Sequence, residues 1–191
     1  EKASVLNSLA NLRSQLGDYI SGLDYYHQAY DVLLNSKKQD IINKTSFILL
    51  NLGVTYSDVG LIDDALLYYE KALSMFQKEN NLELVVFCLN NIGSIYLNQK
   101  QYKKALFTFE GNAKKFDELK EKSPYEGLYK LNLGVAYWHN GQKEKGLEYM
   151  ESGKTFYKKR KNEIYSLVCD LEIANVKLLD GNFKLARNLM Y

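Results

Sequence analysis

The sequence predicts an all-α fold, a right-handed α-solenoid of stacked antiparallel helix hairpins. Three observations carry this reading. The turn residues Gly17, Gly60, Lys100, Gly141 and Gly181 recur 40 to 43 positions apart, apolar residues between them fall at helical spacing, and the 191 residues hold one proline, Pro124. Proline removes a backbone donor and clashes inside a helix, so its scarcity suits long unbroken helices. A hairpin of this size cannot bury both its faces alone, which is why such units stack.

The first copy, residues 3–41, is marked by Ala10, Gly22, Tyr26 and Ala29, with helices expected over 3–16 and 19–36. The second, 42–82, carries the pattern in full. Leu49, Leu52, Gly53 and Tyr56 form one stripe of a helix over 42–59, and Ala65, Leu66, Tyr69, Ala72 and Leu73 form another over 62–79. Gly53 facing Ala65 lets the two helices approach, with an aromatic ring filling the space beside them. Between them Gly60 ends one helix, and Asp63 and Asp64 favour the start of the next. The third copy, 83–123, is marked by Gly93, Tyr96, Ala105 and Phe109, with helices over 83–99 and 102–120. The fourth, 124–162, is marked by Gly134, Tyr137, Gly146, Met150 and Gly153, with helices over 125–140 and 143–160. The fifth, 163–191, is incomplete: Ala174, Ala186 and Met190 mark it, and its second helix stops at Tyr191. Phe183, Leu185, Leu189 and Met190 are expected to form an apolar edge, open to solvent or closed by a homodimer contact.

The chain opens at Glu1 without an initiator Met and stops inside the repeating pattern, so a segment of a longer protein is expected. Hydrophobic residues at 46% supply a core, while 25% charged residues balance to a net +2. That balance points to neither direct nucleic-acid binding nor membrane contact. No apolar run approaches the ~18 residues of a membrane span. Two cysteines, Cys88 and Cys169, are too few for a disulfide framework and lack metal-ligand spacing. Both fall on the packed side of a first helix, where a reduced, buried thiol is expected.

The marked residues follow a G-x-x-Y, then A-x-x-x-F/Y, pattern: Gly53, Tyr56, Ala65 and Tyr69; Gly93, Tyr96, Ala105 and Phe109; Gly134, Tyr137, Gly146 and Met150. This resembles the tetratricopeptide repeat, in a longer-period form without its closing proline. HEAT and armadillo repeats share the period but not the small residue fixed beyond the Tyr. The phrasing around Gly93 is similar to arrays in two-component and transcriptional regulators of Bacteroidota and in peptide-pheromone receptors of Gram-positive bacteria. In both, an array reports to an effector domain such as a kinase or a helix-turn-helix.

No catalytic constellation stands out. His27 and His139 lie in different copies, and no phosphate loop, nucleophile elbow or metal motif is present, so neither catalysis nor a cofactor or metal is expected of this segment. The basic run Lys154–Lys161 suits a solvated helix end, and Trp138 suits core packing.

A candidate site does emerge. Asn51, Asn91 and Asn132 stand two residues before the repeat Gly in three successive copies. The resemblance implies that first helices line a concave groove and that Asn at this slot holds a bound peptide's backbone. The slot holds Ser8 in the first copy and Glu172 in the last. Phe47, Phe87 and Leu128 lie one turn before these Asn residues on the same face. Val54 and Asp58, Ser94 and Asn98, and Val135 and His139 continue the rows. The groove has no Lys or Arg clamp, so an internal or extended segment is expected rather than a free C-terminus. The expected function is therefore a peptide- or protein-binding scaffold, the sensory or regulatory part of a larger signalling protein whose effector, a kinase or another output domain, lies elsewhere in the parent chain. A structural assembly scaffold, or an array appended to an enzyme, are the alternatives. A cytoplasmic setting is expected, or a periplasmic one if the parent is a membrane sensor.

Overall fold

A computed structural model describes residues 1–35, 41–119 and 123–181. Among these there are nine helices and no strand: α1 Lys2–Gln15, α2 Tyr19–Leu34, α3 Ile41–Asp58, α4 Ile62–Lys78, α5 Leu82–Asn98, α6 Tyr102–Leu119, α7 Glu126–His139, α8 Lys143–Lys159 and α9 Glu163–Leu179. The expected all-α solenoid of hairpins is what forms. Helix ends fall within two residues of the sequence expectation. The second helix of the fifth copy, with Phe183, Leu185, Ala186, Leu189 and Met190, lies outside the described residues.

The helices end early for a common reason. Gly17, Gly60, Gly141 and Gly181 take positive φ, as do the non-glycine residues Asn80, Lys100 and Lys161. At Lys100 (φ 58°) the next amide, Gln101 N–H, donates back to Tyr96 C=O at 2.8 Å, and Lys100 N–H donates to Leu97 C=O at 2.8 Å. Paired bonds of this kind satisfy carbonyls that a helix end leaves open. The same pairing closes the helices at Gly60 and Gly141. Helix starts are fixed by Asp18 and Asn162, whose side chains accept from Ser21 N–H and Tyr165 N–H. Asp63 and Asp64 lie in the first turn of α4, as a helix start requires.

The chain divides into two compact units, Glu1–Leu89 and Asn90–Tyr191, the division falling within α5. In the first, Ala3, Leu6 and Ala10 of α1 and Tyr26, Ala29 and Leu33 of α2 form one core with Ile48 and Leu52 of α3. In the second, Leu131 and Trp138 of α7 and Met150 and Tyr157 of α8 pack with Cys169, Ile173 and Val176 of α9. In each unit one first helix, α3 in the first and α9 in the second, thus seats its apolar stripe on the hairpin before it.

Candidate peptide-binding groove

The first unit places Phe47, Asn51, Val54 and Asp58 on α3. Asn51 is half-buried and turns its amide Nδ2 onto α1, 3.2 Å from Asn7 Oδ1 and 3.3 Å from Asn11 Oδ1. The Asn11 oxygen also accepts from the Tyr26 hydroxyl at 2.5 Å. One turn earlier Phe47 is 45% exposed, its ring meeting the edge of Phe76 at 5.6 Å. Val54 is half-buried. Asp58 keeps much of its surface in water, and the part that is covered raises its carboxyl pKa by desolvation. Phe87, at the start of α5, is half-buried.

The second unit repeats this geometry. Asn132 on α7 donates through Nδ2 to Ser94 Oγ at 2.8 Å and to Asn90 Oδ1 at 3.3 Å. Ser94 gives its own hydrogen to Asn90 C=O at 2.8 Å, so its oxygen can only accept here, which fixes the orientation of the Asn132 amide. Asn91 and Ser94 are half-buried on α5, Asn98 is exposed, and Leu128 and Val135 are half-buried on α7. His139 stacks on Tyr102, rings 4.0 Å apart and 7° from parallel, and burial lowers its pKa. The imidazole is therefore neutral near neutral pH.

Both units follow one rule. The Asn two residues before the repeat Gly donates to residues at −3 and +1 from the small residue of the preceding copy: Asn7 and Asn11 around Ala10, Asn90 and Ser94 around Gly93. The sequence reading passed over Asn7, Asn11 and Asn90. The signal was there, because copies two and four carry Leu50 and Val54, and Leu131 and Val135, at those positions. The amide donors of Asn51 and Asn132 are thus engaged within the protein.

Other singled-out residues fall in structural roles. Cys88 and Cys169 are buried free thiols, and burial pushes their pKa up to about 12 and about 11. Trp138 is in the core, with Lys143 Nζ 5.5 Å above its ring. Within the basic run, Lys154 pairs with Asp170 and Arg160 lies over Phe156, while Lys158 and Lys159 occupy the last turn of α8. His27 shares a 2.8 Å hydrogen bond with the Tyr56 hydroxyl.

Hairpins of antiparallel helices with small residues where they cross, and a polar clasp between first helices in each unit, α1 with α3 and α5 with α7, define a helical-repeat scaffold. The sequence profile of the tetratricopeptide repeat matches residues 1–78 and 44–110, more than half of the chain, which therefore belongs to that family. No curated protein sequence matches it. Among solved structures, BtubC (BKLC) from P. vanneervenii is similar over 96% of this chain and 75% of that one, at 22% identity and a TM-score of 0.76. Aspartyl phosphate phosphatase F from Bacillus subtilis is similar over 99% of this chain and 58% of that one, at 18% identity and a TM-score of 0.80. A Rap protein complexed with Competence and Sporulation Factor is similar over 98% of this chain and 52% of that one, at 14% identity and a TM-score of 0.79. At these identities the likeness is one of fold. The chain is a tetratricopeptide-repeat scaffold for protein–protein interaction.

Proposed function

We propose that the first-helix faces bind an extended peptide or protein segment and that the chain serves as the regulatory part of a larger signalling protein, itself without catalysis. The observation that carries the binding reading is the repeated Asn clasp. Asn51 and Asn132 each spend their N–H groups on the preceding first helix and so hold their carbonyl oxygens at a set orientation. Such an oxygen accepts a backbone N–H without reading sequence, while Phe47 and Val54 on α3, and Leu128 and Val135 on α7, supply apolar contact. A solved Rap protein complexed with Competence and Sporulation Factor gives the fold a precedent for holding a bound factor.

The test is a peptide-array screen with the 191-residue chain, followed by calorimetry on the peptide retained. Replacing Asn91 by Ala should weaken that peptide by ~1 kcal/mol, about fivefold, and leave the circular dichroism spectrum unchanged. Binding should vary little with salt, since the face lacks a cationic clamp. Retained affinity in the Asn51→Ala, Asn91→Ala, Asn132→Ala triple variant would remove the Asn residues from the site.

A further inference from the structure

We infer that a groove between α7 and α8 in the fourth copy binds a phosphate group, either free or carried on a side chain. Repeat register points to it. Eight and four residues before the repeat Gly, the second copy carries Thr45 and Leu49, and the third carries Val85 and Leu89. Thr45, Leu49 and Val85 are buried, and Leu89 is half-buried. The fourth copy has Glu126 and Lys130 at these slots, an ion pair at 2.6 Å whose side chains are 13% and 28% exposed. Packing alone gives no reason for the change, since an ion pair drawn out of water is often no more stable than an apolar pair of similar volume. Nor do the ends of the chain, because α7 lies inside the array and touches α6, α8 and α9.

A groove of about 230 Å³ opens beside the pair. Its walls are Glu126 and Lys130 of α7, and Ser152, Thr155, Phe156, Lys159 and Arg160 from the C-terminal turns of α8 and its cap. Three cations and one carboxylate make the lining net positive. Glu126 Oε1 holds the Lys130 ammonium, which fixes that donor at the edge of the groove. Arg160 is held 4.4 Å over the Phe156 ring. A guanidinium so placed sheds water from one face and still donates in its own plane, where its fork matches two oxygens of a phosphate. The ammoniums of Lys130 and Lys159 serve the remaining oxygen, which a carboxylate lacks.

This site is separate from the peptide-binding face. Lys130 lies two residues from Asn132, about 200° around α7 at 3.6 residues per turn. Loss of phosphate binding and loss of peptide binding are therefore independent results.

The probes are inorganic phosphate and O-phospho-L-serine, titrated with the 191-residue chain and followed by phosphorus NMR at constant ionic strength. A saturable shift is expected, and the tighter probe identifies the source of the group. Lys159→Ala, at an exposed position, should raise Kd at least about tenfold. The Glu126→Val, Lys130→Leu double variant gives the fourth copy the pair of the third. It should melt no lower than the native chain in chloride, yet raise Kd at least about tenfold. Lys78→Ala, the same slot as Lys159 in the second copy, should leave binding unchanged. If the double variant melts early, Lys159→Ala alone decides. No saturable shift with either probe, native affinity in Lys159→Ala, equal loss in Lys78→Ala, or displacement by acetate as effective as by phosphate would each overturn the proposal.

Discussion

The α3–α4 and α7–α8 hairpins fill the same motif slots in different ways. Gly53 and Gly134 correspond, as do Ala65 and Gly146, Tyr69 and Met150, and Ala72 and Gly153. In α3–α4 a Cβ added at Gly53 would stand 2.8 Å from the ring of Tyr69, which is 2% exposed. The small slot there makes room for an aromatic side chain. In α7–α8 a Cβ at Gly134 would stand 2.6 Å from Gly146 C=O, one at Gly146 would stand 2.7 Å from Gly134 C=O, and one at Gly153 would stand 2.8 Å from Gly127 C=O. Here backbone meets backbone. Two interior glycines in α8 each cost ~1 kcal/mol of helix propensity relative to Ala, which close packing of the two backbones must offset. One motif thus has two solutions, a ring seated over a glycine or two glycine faces in contact.

That contrast predicts the largest effect. Gly146→Ala gains helix propensity yet forces a methyl into a peptide carbonyl that cannot rotate away, so a net loss of ~2–3 kcal/mol is expected. Gly53→Ala presses only on the Tyr69 ring and should lose ~1 kcal/mol less. Urea unfolding gives the totals, and the two buried thiols give the location. Cys169 packs with Met150 in the second unit and Cys88 belongs to the first. Gly146→Ala should speed the reaction of Cys169 with a thiol reagent and leave Cys88 slow. Equal stability of Gly146→Ala and the native chain would mean that the α7 and α8 backbones do not touch.

The clasps supply the next comparison. Asn132→Ala strips a donor from Asn90, which is 2% exposed, and from Ser94, whose own hydrogen is spent on the backbone. Asn51→Ala strips one from Asn7, which is only half-buried and can take water instead, and one from Asn11, whose oxygen keeps the Tyr26 hydroxyl. A loss of ~1–2 kcal/mol is expected for Asn132→Ala and ~0.5–1 for Asn51→Ala. Reversal of that order in chemical denaturation would mean that burial of the acceptors does not set the cost.

Most of the fold was legible because its signals are local and repeated. Gly53 with Tyr56, then Ala65 with Tyr69, fixed both helix stripes and their register, and even Lys100 was placed as a turn residue by spacing alone. The clasps were only half legible. Asn51 and Asn132 stood out as a row, but their acceptors lie about 40 residues earlier and follow no rule that a single copy reveals. A propensity reading sees Asn7, Asn11 and Asn90 as ordinary polar residues on a wet face. Only stacking makes them partners, and it engages within the protein the donor end of an amide expected to hold a bound peptide's backbone. Lys100 itself offers a smaller test. At φ 58° its Cβ is strained where the other hairpin turns carry glycine. Lys100→Gly should stabilise by ~0.5–1 kcal/mol. A loss would show that the lysine side chain contributes more than its backbone strain costs.

The smallest expected effect separates the two units by pH. His139, stacked on Tyr102 in the second unit, has its pKa lowered by burial, whereas an unfolded histidine titrates near 6.5. Well above pH 6.5 the ring is neutral in both states and contributes no slope. As pH falls through that value the unfolded chain takes up the proton first, so stability drops, and the drop levels off once the folded ring is protonated too. A His139→Phe change keeps a flat ring against Tyr102 and removes the titration. The native chain should therefore lose melting temperature between about pH 7 and pH 5.5 by more than the His139→Phe variant does. Cys169 reactivity over the same range, taken relative to a free thiol so that the falling thiolate fraction cancels, should rise in the native chain and stay level in the variant. Parallel pH profiles for the two proteins would mean that the Tyr102 stack does not hold His139 away from water.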